Sequence, residues 1–276
     1  MIKLLKIEFK KIRTYKIFWI LFGLYFVFLA AGILLAEFMI NNMVNGMNRR
    51  LPIPFPHVAI YYFPDVWQNV AFFASIRYVL IFPAIVMIIL ITNEFTYKTI
   101  RQNVINGMSK TEFLASKLLI ILLSTTFMTV VLTVGAFFIG LSHSGFSQVD
   151  FFSRGLPFMG GFFISLLCYM VYAFFCGFML RNTGLAIAIF TLYSLIIEPV
   201  VYFFLRAPFV FKNEIYTYLP VNAVIRLTEY PAIPMLKKMM GLNLQDHVSF
   251  VSCLIPMGYA VVMIAIVFWV MRRKDL

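Results

Sequence analysis

The sequence predicts an all-α, polytopic membrane protein of six transmembrane helices with both termini in the cytosol. Three observations carry this. Of 276 residues, 62% are hydrophobic and 12% charged, whereas a soluble domain holds about 45–50% apolar and about 25% charged residues. Several apolar runs reach the ~20 residues that a spanning helix needs, and helices rather than a barrel follow because such runs satisfy their own backbone groups. The basic residues are also unevenly placed. Segments 1–16, 93–117, 181–183 and 272–276 carry 14 Lys and Arg in 49 residues, against 8 in 85 for segments 40–69, 142–154 and 206–247. Orientation follows the basic side, so the first set is assigned to the cytosol.

The elements follow in order. Residues 1–16 are basic and amphipathic. Ile2, Leu5, Phe9 and Ile12 recur at helical spacing beside a stripe of Lys3, Lys6, Lys10 and Arg13, the pattern of a helix lying in the interface against anionic headgroups. The apolar run that begins at Ile17 is longer than a signal-peptide core, so it is read as a retained first span over about 17–39. Pro52, Pro54, Pro56 and Pro64 make 40–69 an outside loop. Later spans are expected at about 70–92, 118–141, 156–180, 185–205 and 248–271. Residues 206–247, with Pro208, Pro220, Pro231 and Pro234, are too polar and proline-rich for a simple span. They are read as re-entrant or interfacial helices on the outer side.

The polar interval 93–117 reads as structured rather than as a plain loop. Thr99 precedes Gln102 by three residues, and Ser109 precedes Glu112 likewise. Both fit a capping box, in which side chains satisfy the free N–H groups at a helix start. Gly107 lies between them, where a left-handed glycine ends a helix. The expectation is a short helix over about Ile100–Asn106, a tight break, and a second helix that runs on into the membrane.

Catalytic and metal chemistry find no motif. Gly107-Met108-Ser109-Lys110-Thr111 has residue types of a nucleotide-binding loop but not their order, because Ser109 precedes Lys110. Cys168, Cys176 and Cys253 fall in apolar runs without ligand spacing and read as packing residues. His57, His143 and His247 fall singly in the outside loops. No catalytic residue, metal ligand or cofactor is therefore assigned to this chain, and no nucleic-acid partner.

Two charges lie within expected spans, where an ion costs at least about 2.5–3.5 kcal/mol. Arg77 and Glu198 both fall in the outer half of the bilayer, so an intramembrane ion pair or a place on a transport path is one reading. Snorkelling of Arg77 and a protonated or interfacial Glu198 is the other. Glu198-Pro199 also predicts a break in the fifth helix, since proline removes a backbone donor.

Glu94, Thr99-Ile100-Arg101, Gly107-Met108-Ser109-Lys110, Phe113 and Lys117 resemble the first cytosolic loop of permease subunits of the ABC-2 type, the membrane half of ATP-driven exporters. Ile7-Glu8-Phe9-Lys10-Lys11 before the first span, the six-span layout and the close Arg272-Arg273-Lys274-Asp275 agree with it. Lys98 departs from the pattern, since many relatives have glycine there. The resemblance implies that residues 1–276 form a single permease domain in a cell membrane, the bacterial cytoplasmic membrane being expected. A separate ABC ATPase, binding ATP and Mg, would dock on the cytosolic face, and a second permease chain, identical or not, would complete the path. Glu8, Phe9, Lys10 and Lys11 would belong to an elbow helix. Glu94, Thr99, Ile100, Arg101, Val104, Ile105, Gly107 and Ser109 would form the coupling region, with Ile100, Val104 and Ile105 as its apolar docking edge. The exported substrate would be lipid-like, a peptide or an antibiotic. The alternative is an ion-coupled secondary transporter working through Glu198 and Arg77.

Overall fold

The computed structural model describes residues 13–50, 61, 63, 65–105, 107–144, 152–206, 214–228 and 248–273. The expected elbow residues Glu8, Phe9, Lys10 and Lys11, the loop prolines Pro52, Pro54, Pro56 and Pro64, His57 and His247, and most of 206–247 lie outside these, as do the side chains of Arg101 and Val104.

The described residues contain no strand and six helices long and apolar enough to cross a membrane. In chain order the helices are α1 (Lys16–Arg50), α2 (Asp65–Ser75), α3 (Arg77–Thr96), α4 (Thr99–Ile105), α5 (Lys110–Ser144), α6 (Phe152–Leu180), α7 (Thr183–Arg206), α8 (Pro220–Ile225) and α9 (Phe250–Arg273). Burial sorts the long ones. The most apolar windows of α3 and α6 are 67% and 61% buried, against 22–28% for α1, α5, α7 and α9. The pair α3–α6 is thus the centre, and the other four turn apolar side chains outward, as helices in a bilayer do. Close packing of helices in lipid favours small residues. Gly155 fits that rule on α6, where an added Cβ would lie 2.1 Å from Cδ1 of the fully buried Trp67.

The first span, expected over about 17–39, is Lys16–Met39, and its helix runs on to Arg50 with no proline to interrupt it before Pro52. Two other expected boundaries move. The second span, expected as one helix over 70–92, is two. Ile76 takes an extended backbone (φ −60°, ψ 134°) between α2 and α3. Helix α2 buries Val66, Trp67, Val70, Ala71 and Ala74 against α5 and α6, and apolarity alone does not separate such a buried short helix from a crossing one. In the fifth span, the break expected at Glu198-Pro199 is a π turn over Tyr193–Ile197 instead, and α7 passes through it. Within the region 206–247, expected to hold re-entrant or interfacial helices, Pro220–Ile225 forms α8, whose Val221, Asn222, Ala223 and Val224 are buried.

Candidate functional site

The last turn of α3 holds Thr92, Asn93, Glu94 and Phe95, and each reaches a different part of the chain. Thr92 Oγ1 lies 2.8 Å from Thr183 Oγ1 at the start of α7. Asn93 Nδ2 donates to the Tyr15 hydroxyl just before α1 at 2.9 Å. Phe95 stacks edge-on against Phe178 and lies under the Arg181 guanidinium, 5.0 Å from it. Glu94 takes the largest share. Its carboxylate accepts from the Lys117 ammonium at 2.6 Å and from the Thr99 hydroxyl. Both ions of the Glu94–Lys117 pair are nearly sealed, with 5% and 2% of the side chains exposed. Four chain regions, Tyr15, Glu94–Thr99, Lys117 and Arg181–Thr183, therefore meet on one face of the bundle.

The turn chemistry of this face is set locally. Lys98 sits at φ 53° and Gly107 at φ 90°, so a left-handed residue stands at each end of α4. The Met108 N–H reaches back to the Asn103 carbonyl at 3.0 Å, the long bond of a Schellman stop with Gly107 at its left-handed position. Ser109 and Glu112 then form the reciprocal box that starts α5. The Glu112 N–H donates to Ser109 Oγ at 3.2 Å, and the Ser109 N–H donates to the Glu112 carboxylate at 2.9 Å.

Two details differ from expectation. Helix α4 begins at Thr99 rather than Ile100. The Thr99 hydroxyl bonds Glu94 instead of boxing with Gln102, because a buried carboxylate is the stronger acceptor. The apolar edge is also divided. Ile100 is 3% exposed and part of the core, while Ile105 is 76% exposed. The outward face of this element shows Ile105, Gln102, Gly107, Ser109 and, beside it, Tyr97 and Lys98.

Arg77 and Glu198 lie toward the opposite face and hold backbone groups rather than each other. In the π turn the Glu198 N–H bonds the Tyr193 carbonyl. The next bond of that register would come from residue 199, and proline has no N–H. The Ser194 carbonyl is left without that donor, and Arg77 Nη1 supplies one at 2.9 Å. The Ser194 hydroxyl is 2.6 Å from the Tyr169 hydroxyl. Glu198 is 1% exposed and accepts from the Val221 and Asn222 N–H groups at 3.2 and 2.5 Å, capping the first turn of α8. The direct Arg77–Glu198 pair is absent among the described residues, since each side chain is committed to a broken or starting helix.

Sequence reasoning missed Thr92, Asn93, Phe95, Arg181 and Thr183 as members of the basal cluster. The available signal was a polar triplet closing an apolar run, Thr92-Asn93-Glu94, opposite the left-handed Arg181 turn (φ 54°). Among the described residues no group of His, Cys, Asp and Glu could hold a metal ion. No family model and no curated protein matches the chain.

Proposed function

We propose that the chain is the membrane-spanning permease subunit of an ABC-2 type exporter. A separate ATPase would act on the α4 element from the cytosol, and the passenger would be lipid-like, a peptide or an antibiotic. The observation that carries this reading is the mounting of α4. A short helix that displays Ile105 outward, with the exposed Tyr97 just before it, is pinned at its start by Thr99 to Glu94, and Glu94 is pinned to Lys117 on α5. A push on such a helix is delivered to the ends of α3 and α5 together instead of being lost in a loop. An apolar side chain on a short exposed helix is also what a partner's groove accepts. The positive-inside bias supports a cytosolic position for this face, and a second permease chain would close the path. The alternative, an ion-coupled secondary transporter, would work through Arg77 and Glu198, which here bond the Ser194 carbonyl and the start of α8.

The test is whether a tagged chain, purified from its own membranes, captures an ABC ATPase. Ile105→Asp replaces an exposed residue, so membrane insertion stays intact. Losing the burial of one isoleucine side chain, about 1.5–3 kcal/mol, lowers ATPase capture at least about tenfold. Unchanged capture by Ile105→Asp, or vectorial transport driven by a proton gradient with no ATPase present, overturns the proposal.

A further inference from the structure

On the face remote from Glu94, the end of α7 and the turn after α8 enclose a cleft of about 340 Å³, near the lower end of the ~300–1,000 Å³ of small-molecule sites. Its walls include Phe72 of α2, Tyr202 and Arg206 of α7, Tyr216, Arg226 and Thr228. Its described lining residues include two guanidinium groups, those of Arg206 and Arg226, and no carboxylate. Arg206 donates to the Tyr202 hydroxyl at 3.2 Å, and the Tyr202 and Tyr216 rings stand edge to face at 5.2 Å, so the arginine is held against an aromatic wall. Thr228 is fully buried, and its hydroxyl has no hydrogen-bond partner. A buried hydroxyl left so is costly, and such a group on the wall of a basic cleft points to a ligand that accepts a hydrogen bond. Beside the opening, Phe203 and Phe204 of α7 are 73% and 61% exposed, an apolar surface on which acyl chains lie when the helix is in a bilayer.

From this juxtaposition we infer that the cleft binds a phosphate group carrying net negative charge, with the headgroup of an anionic phospholipid as its source. Guanidinium groups recognise phosphate oxygens through paired charge-assisted hydrogen bonds. Arg206 at the polar end of the outward-facing α7, with Arg226 across the cleft from it, places that recognition at headgroup depth, with the phenylalanines below it. The inference stands whether or not an ATPase drives the chain. It needs only that α7 lies in a membrane.

Native mass spectrometry of the full chain in neutral detergent, titrated with phosphatidylglycerol, tests it. Arg206→Gln lowers lipid retention about tenfold, the effect of losing one charge-assisted hydrogen bond of about 1.5 kcal/mol. Thr228→Val lowers it several-fold without lowering the melting temperature, since the hydroxyl it removes has no protein partner. Arg273→Gln, at the opposite end of the bundle, leaves it unchanged and controls for general attraction to anionic lipid. If excess inorganic phosphate displaces the lipid and itself binds with the same Arg206 dependence, the site stands with a soluble phosphate as its source. Lipid and phosphate binding that are both indifferent to Arg206→Gln and Thr228→Val overturn the inference.

Discussion

Glu94 and Lys117 illustrate how a buried ion pair acts in an apolar bundle. Each charge alone would be excluded from so dry a place, so removing one partner strands the other, at about 3–5 kcal/mol, whereas replacing both by apolar residues is often neutral. Glu94→Gln is therefore expected to lower the thermal stability of the purified chain sharply. Glu94→Met combined with Lys117→Met is expected to recover most of that loss while weakening the link from α4 to α5. A double mutant no more stable than Glu94→Gln would show that the pair is not an independent unit. Lys98 makes a second residue-scale case. A side chain at φ 53° pays about 1–2 kcal/mol for the left-handed backbone, partly offset by the freer unfolded chain that glycine brings. Lys98→Gly should raise stability by up to about 1 kcal/mol in a denaturant titration, and a clear loss would contradict this account of the turn.

At the scale of elements, α7 is shaped by one missing N–H. The π turn and Pro199 leave the Ser194 carbonyl in need of a donor, and Arg77, set at the first turn of α3 by the bend at Ile76, provides it. Glu198 then turns its acceptors to α8. The polarity of each bond is fixed, because a guanidinium only donates and an ionised carboxylate only accepts. Exchanging the charges, Arg77→Glu with Glu198→Arg, sets acceptor against carbonyl and donor against N–H. The exchanged protein is expected to be no more stable or active than either single variant. Rescue by the exchange, measured as transport or as thermal stability, would restore the case for a direct pair. The stop of α4 and the start of α5 were legible from Gly107, Ser109 and Glu112, because capping acts over three or four residues. The inward turn of Ile100 was not, because the periodicity of a seven-residue helix does not say which side is covered.

For the whole molecule, the basal contacts among Tyr15, Glu94, Lys117 and Thr183 and the opposite contacts among Ile33, Tyr61, Phe63 and Ser144 define two faces. The proposed orientation makes the basal face cytosolic. Introduced cysteines test it on a Cys176→Ser background, since the native Cys168 and Cys253 are buried and Cys176 is half-buried. Tyr218→Cys is expected to react with a membrane-impermeant thiol reagent in intact cells, and Lys98→Cys only after the membrane is opened. The reverse labelling would invert the molecule and remove the ATPase-facing role of α4.

The sequence by itself determined the six apolar helices and the punctuation of the polar interval, because hydropathy over some twenty residues and capping over four are local properties of the chain. Only the tertiary structure decided which polar groups meet. Glu94 finds Lys117 across 23 positions, Phe63 finds Ser144 across 81, and Arg77 finds Ser194 across 117. No spacing rule reaches that far. Those meetings follow from excluding water around the α3–α6 centre, where most buried polar groups take whichever partner packing brings within bonding distance.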